Sequence, residues 1–312
     1  MSHWTADDIP DLSGRRAVVT GANSGLGLAA ARALSAKGAS VVLACRDLAK
    51  GERALAEVES VAAPGAEVQL AGLDLAQLAS IRGFAGWYAD LHPDGLDVLL
   101  NNAGIMAPPR GVTADGFERQ LGTNHLGHFA LTGLLLESLL RRPGARVVTV
   151  SSAAHKMGRI DFDDLQGERG YARWGRYGQS KLANLLFALE LDRRVRAAGV
   201  DLASVAAHPG YAATNLQTTS PPCHEALLMR VLNVVVAQSA EMGALPLLYA
   251  ATVPLVPGGT YIGPDGRGEA RGYPRPVSPS DRAEDPEVAR RLWEESERLT
   301  GVTFELPAPT AA

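Results

Sequence analysis

The sequence predicts an α/β fold, a doubly wound parallel sheet with helices on both faces, and three observations lead to it. Short runs rich in Val, Ile and Leu alternate with longer stretches whose apolar residues recur at helical spacing, the pattern of right-handed βαβ crossovers. The runs are apolar without strict alternation, as strands covered on both faces are. A glycine cluster separates the first run from the first helical stretch, where a parallel sheet hands over to its first helix. The 312 residues are expected to form a single domain.

In chain order, strands are predicted over 16–21, 40–45, 68–74, 97–104, 146–152 and 201–210, each flanked by helical spacing. The Pro/Gly-rich stretch 253–280 holds a last strand at 259–263 and a surface loop. Residues 281–300 read as a charged C-terminal helix, and 301–312 as a frayed end.

Composition narrows the function. Hydrophobic residues are 46% and charged residues 21%, enough apolar surface to build a core and exclude a disordered chain. The 30 basic and 34 acidic residues leave a formal net charge of −4. No overall positive field gathers nucleic acid or anionic lipid, so a small-molecule partner is expected. Cys45 and Cys223 are the only cysteines, too few for a disulfide framework or a Cys-based zinc site, and no metal site is expected. The N-terminal stretch lacks an apolar signal core, and no apolar run approaches the roughly 18 residues of a membrane span. The expected setting is cytoplasmic, without a membrane partner.

Gly21, Gly25 and Gly27 join the first strand to the first helix. Glycines there let the backbone turn tightly and approach a pyrophosphate, whose charge rests on the helix N-terminus. An ordinary tight turn would use the same residues; the position after the first of several alternating strands favours the phosphate. Arg46 directly follows the second strand, where an acid would meet the ribose 2′-hydroxyl of NAD and an arginine the 2′-phosphate of NADP. NADP(H) is thus favoured over NAD(H), with Lys50 adding charge; a solvated surface cation is the other reading of Arg46. Asp47 reads as the N-cap of the next helix.

Tyr177 and Lys181 lie one helical turn apart on one face, so a phenol and an ammonium can enter one cavity. The chain has only four lysines, which makes this one informative. A phenol of reference pKa about 10 is a poor base at neutral pH, but a nearby ammonium and an oxidised nicotinamide both favour the phenolate. Tyr177 can then take a proton from an alcohol or return one to a carbonyl oxygen. Ser152 ends the fifth strand at the carboxyl edge, where ligands of open α/β sheets bind, and can donate to a substrate oxygen. Ser151 is its rival, because strand alternation points only one of them at the site.

The glycine spacing after Thr20, followed in order by Ser152, Tyr177 and Lys181, resembles the short-chain dehydrogenase/reductase family over about residues 14–263. That resemblance implies a Rossmann-type fold and the catalytic set Asn124, Ser152, Tyr177 and Lys181, with Asn124 holding a proton-relay water and Lys181 also binding the nicotinamide ribose. It assigns to the cofactor Gly21, Asn23, Ser24, Gly25, Leu26 and Gly27 of the loop, then Arg46, and Asp74 with Leu75 after the third strand. Asn101, Ala103 and Gly104 after the fourth strand, and Pro209, Gly210 and Thr214 after the sixth, complete that set with Tyr177 and Lys181. An N-cap role for Asp74, a structural role for the asparagine turn and a helix-capping role for Asn124 stay open.

The resemblance further implies that 211–240 covers the substrate and that the helices over 117–142 and 178–198 pair subunits in a homodimer or homotetramer. Over 43–52 and 158–191 the chain resembles the retinol dehydrogenase and protochlorophyllide reductase branch, which mostly uses NADPH. Many animal members of that branch carry a membrane anchor and none is visible in this sequence, so a retinoid is not the expected substrate. The expected function is NADP(H)-dependent hydride transfer between nicotinamide and the carbonyl or alcohol of a small to medium apolar substrate, with Tyr177 as general acid and base. An NADP(H)-binding sensor without turnover is the alternative. His125 and His128 have no third ligand spaced to join them and read as packing or capping. Cys223 and His224 read as part of a loop entering an apolar helix, whose Leu227, Leu228, Met229 and Val231 suit a pocket wall or a helix core equally.

Overall fold

A computed structural model describes residues 3–211 and 238–307. The apolar runs form strands β1 (Arg16–Thr20), β2 (Ser40–Cys45), β3 (Val68–Gly72), β4 (Val98–Asn101), β5 (Ala145–Val150), β6 (Leu202–Ala207) and β7 (Tyr261–Pro264). These seven pair in parallel in the order β3-β2-β1-β4-β5-β6-β7. The helices are α1 (Gly25–Ala36), α2 (Leu48–Glu59), α3 (Leu78–Leu91), α4 (Arg119–Leu121), α5 (Gly127–Leu134), α6 (Leu136–Leu140), α7 (Arg173–Ala197) and α8 (Ala240–Thr252). Between α4 and α5 the chain makes one π-helical turn, Gly122–Leu126.

Successive strand side chains point to opposite faces. Val19, Leu43, Leu100 and Val148 enter a core with α1, α2 and α8, while Val18, Val42, Leu99 and Val147 enter a second core with α3, α5 and α7. Burying each such side chain contributes about 1.5–3 kcal/mol, which is why these strands read as uninterrupted apolar runs.

The C-terminal part departs from the sequence reading in three places. An eighth strand, β8 (Pro274–Pro276), pairs antiparallel with β7 at the sheet edge. Its prolines hide it from a β-branched search, yet an edge strand tolerates a missing N–H. The helix predicted over 281–300 is two, α9 (Asp281–Glu284) and α10 (Pro286–Thr300). Asp285 starts α10 by accepting from Glu287 N at 3.0 Å and Val288 N at 3.1 Å, with Pro286 in its first turn. The end is also not frayed as far as 307: Val302 is buried, and the Phe304 ring lies 4.5 Å from that of Trp293.

Trp293 of α10 is buried against Phe129 of α5 and Phe187 of α7. Every residue of α7 from Arg176 to Ala188 is buried within this one chain. The chain's own C-terminal helix thus packs on part of the α5 and α7 surface that the resemblance assigns to subunit pairing.

Candidate active site

The cavity lies where the strand order reverses, at the carboxyl ends of β1 and β4, the switch point at which open α/β sheets bind ligands. It encloses about 1060 Å³ and runs from the glycine loop, Arg46 and Asp74 to Ser152, Tyr177 and Met157.

Gly21 turns the chain out of β1 at φ +66°, a left-handed conformation open to glycine without steric cost. A Cβ on Gly27 would stand 2.5 Å from Gly21 O and 2.6 Å from Asn102 Nδ2. Ser24 precedes α1 without capping it through its side chain. The first amides of this helix, and the positive end of its dipole, are therefore offered to the cavity. A side-chain-free floor and uncapped amides fit a pyrophosphate.

Thr20 binds that floor together. Its hydroxyl accepts from Asn102 N at 2.9 Å and Ala103 N at 3.0 Å, and Asn102 Nδ2 donates to Thr20 O at 2.8 Å. His128 Nε2 lies 2.9 Å from the same hydroxyl. His128 Nδ1 faces Asn124 O at 2.9 Å, an atom that can only accept, so Nδ1 carries the proton and Nε2 accepts from Thr20. Burial pushes His128 down to about 4, which keeps it neutral in that tautomer. The packing role expected for His128 thus has a specific form.

Arg46 is exposed beside the cavity at the end of β2. Asp47 caps α2, accepting from Lys50 N at 3.1 Å, and its other oxygen lies 3.1 Å from Lys50 Nζ. These contacts hold the Asp47 carboxyl below the usual carboxylate range. They also engage the Lys50 charge, leaving Arg46 as the cation at this end without a described ion-pair partner. Asp74 borders the cavity with Leu75, and caps a turn by accepting from Ala76 N at 3.0 Å. It does not cap α3, whose Leu78 N donates to Asp115 at 2.9 Å.

At the other end Tyr177 stands beside Ser152 on the cavity wall, and Ser152 favours the phenolate against burial. Ser152 also starts the short helical turn Ala153–Met157, accepting from Ala154 N at 3.2 Å. Ser151 instead donates to Lys181 O at 2.8 Å and ties α7 to β5, so the alternation resolves in favour of Ser152. Burial pushes the Tyr177 phenol up to about 12, against the opposing effect of Ser152, and pushes Lys181 down to about 8. Lys181 Nζ sits 5.9 Å from the Tyr177 ring centroid and donates to Val150 O at 3.1 Å. The sequence reading expected the ammonium and an oxidised nicotinamide to lower the phenol; in the protein alone burial dominates, Ser152 is what opposes it, and Tyr177 keeps its proton at neutral pH.

The glycine-loop residues, Arg46, Asp74, Leu75, Ala103, Gly104, Ser152, Tyr177, Lys181, Pro209 and Gly210 all border the one cavity. Asn101 does not: its side chain turns into the core and donates to Thr132 at 2.9 Å, while Asn102, one residue on, faces the cavity. Asn124 is buried behind the wall, gripping the backbone of Ile105. Thr214, Cys223, His224 and the apolar 227–231 stretch lie outside the described residues, as does most of 211–240. Among cavity residues that sequence reasoning missed, Trp174 carried a signal, three positions before Tyr177 on the same helix face. Glu269 carried none, because only folding brings it near Ser152.

The family model for short chain dehydrogenases matches residues 15–223. The chain belongs to the short-chain dehydrogenase family. Members are NAD(P)-dependent oxidoreductases, and so is this chain. It is 43% identical to human retinol dehydrogenase 12 over 297 residues, covering 94% of this chain and 89% of the relative. It is 42% identical to mouse polyprenol dehydrogenase over 303 residues, covering 94% and 86%. A solved structure of an uncharacterised Mycobacterium paratuberculosis protein is 46% identical, with a TM-score of 0.81 over 98% of this chain and all of that one. These likenesses place it in the retinol dehydrogenase-like branch of the family.

Proposed function

We propose that the chain interconverts a carbonyl and an alcohol on a small to medium apolar substrate, using NADP(H) in preference to NAD(H), with Tyr177 as general acid and base. The observation that carries this reading is the meeting of Ser152, Tyr177 and Lys181 on the wall of one cavity, with Lys181 one helical turn behind Tyr177.

When bound, the nicotinamide supplies the hydride that reaches the carbonyl carbon, or accepts it from the carbinol carbon. Ser152 donates to the substrate oxygen and stabilises the charge that grows there. Tyr177, protonated at neutral pH, gives its proton to that oxygen in reduction and recovers one in oxidation. Lys181, lowered by burial to about 8, is still mostly charged at neutral pH and would hold the nicotinamide ribose. Ile105, Met106, Met157 and Trp174 give the substrate end an apolar wall, which suits an apolar substrate.

NADP(H) preference follows from Arg46, without an ion-pair partner among the described residues and beside the cavity where the adenosine ribose of a dinucleotide would rest. Its test is the ratio of NADPH to NADH affinity in wild type and Arg46→Ala. Loss of a charge-assisted phosphate contact worth about 1.5–3 kcal/mol should cut that ratio about ten- to hundredfold. An unchanged ratio contradicts the assignment.

A further inference from the structure

We propose that Glu269 sets the charge selectivity of the substrate end, so that the site favours neutral carbonyl or alcohol substrates over those bearing a carboxylate near the reacting group. The inference rests on the carbonyl–alcohol reading above and adds a substrate class to it.

Glu269 lies in the loop between β7 and β8, at φ +57°, a left-handed conformation that side chains avoid. Gly266, Gly268 and Gly272 surround it in sequence, yet this strained position carries a glutamate. Such conformations persist where the surroundings over-determine them, and they gather at functional sites. Three anchors hold the loop: Ala270 O accepts from Tyr211 N at 2.7 Å, Gly272 N donates to Gln238 Oε1 at 3.2 Å, and Asp265 accepts from Tyr273 N at 2.8 Å.

The carboxylate is held between two elements that flank the substrate end. Its Oε1 lies 3.4 Å from Lys156 Nζ, on the turn that Ser152 starts, and its Oε2 lies 3.0 Å from His208 Nε2, beside Pro209 and Gly210. Asp47 and Asp74 border the opposite end, so Glu269 is the one carboxylate among the described residues that line the cavity near Ser152 and Tyr177. Among the described residues its charge is offset only in part. Burial pushes His208 below the usual imidazole range, so that ring stays neutral, with Nδ1 accepting from Gly210 N at 3.3 Å. Lys156 is half exposed and offsets the charge only in part.

The test compares 4-methylbenzaldehyde with 4-carboxybenzaldehyde, as kcat/KM with NADPH, in wild type, Glu269→Gln and Lys156→Ala. Calorimetry with the two corresponding alcohols on the cofactor-free protein supplies an independent affinity ratio, and thermal melting confirms that both variants fold. Removing a like charge from the cavity lining should raise the carboxylate-to-neutral ratio about tenfold in Glu269→Gln. Removing the partial counter-charge should lower it about twofold in Lys156→Ala. An unmoved ratio in Glu269→Gln, or shifts of the same sign in both variants, overturns the inference. If wild type binds NADPH yet reduces neither aldehyde, the carbonyl reading fails. The calorimetric ratio then judges Glu269 by itself, and a carboxylate bound as well as its neutral analogue overturns it.

Discussion

Asn124 and Ile105 exchange two hydrogen bonds, Ile105 N donating to Oδ1 at 2.8 Å and Nδ2 donating to Ile105 O at 2.9 Å. A side-chain amide here does the work of a neighbouring strand for the chain leaving β4, just beyond Gly104. A third bond, from Nδ2 to Ser180 Oγ at 2.9 Å, ties the same residue to α7 next to Lys181. The π turn places Asn124 so that all three are made at once.

Asn124→Leu removes those partners in a fully buried setting. Two orphaned backbone groups should cost about 2–4 kcal/mol. Urea unfolding with an unchanged midpoint would show that the bracing is dispensable.

Lys181 carries a stability cost with its function. Its ammonium is buried, and burial pushes its pKa down to about 8 from the ordinary 10.5. Below about 8 both folded and unfolded chains are protonated, and the folded one bears the desolvation penalty, on the order of 3 kcal/mol. Between about 8 and 10.5 the unfolded chain binds more protons, so stability from this group rises with pH. Lys181→Met leaves no orphan, because Asn184 Nδ2 still donates to Val150 O at 3.0 Å. The methionine variant should therefore melt higher than wild type at pH 7 and lose that lead by about pH 10. A variant that melts lower at pH 7 contradicts the buried-charge description.

The covering of α7 by α10 makes a separate prediction. Trp293 is 2% exposed, packed on Phe129, Phe187 and Phe304, with Arg194 over its ring at 4.3 Å. Trp293→Ala should lose about 3–5 kcal/mol. It also uncovers apolar surface on α5 and α7, so sedimentation velocity should find the variant more self-associated than wild type. Equal stability and equal sedimentation would mean that α10 does not shield this face.

Much of the sheet was legible because β1, β2 and β4 to β6 are covered on both faces, which leaves continuous apolar runs. Several predicted strands run on past the observed C-terminal ends, as at Gly21, Gly104, Ser152 and Gly210. Those residues belong to the cavity edge, where the ladder stops and the chain turns to present side chains or bare backbone. Asn101 was placed at the cofactor for want of register: only the pairing Leu100↔Val148, Asn101↔Thr149 settles that it faces the core and Asn102 the cavity. The pairing of Glu269 with Lys156 and His208 joins segments distant in sequence, and no local pattern marks it. The phenol's direction of shift was also beyond reach, since it depends on burial.

The central claim is proton transfer by Tyr177, and the most direct measurement is turnover by Tyr177→Phe with NADPH and an apolar carbonyl, alongside NADPH affinity. General acid catalysis contributes about 10²–10⁴-fold. The expected result is a fall in kcat of at least about a hundredfold, with NADPH bound within a few-fold of wild type. A variant that turns over at the wild-type rate contradicts the claim.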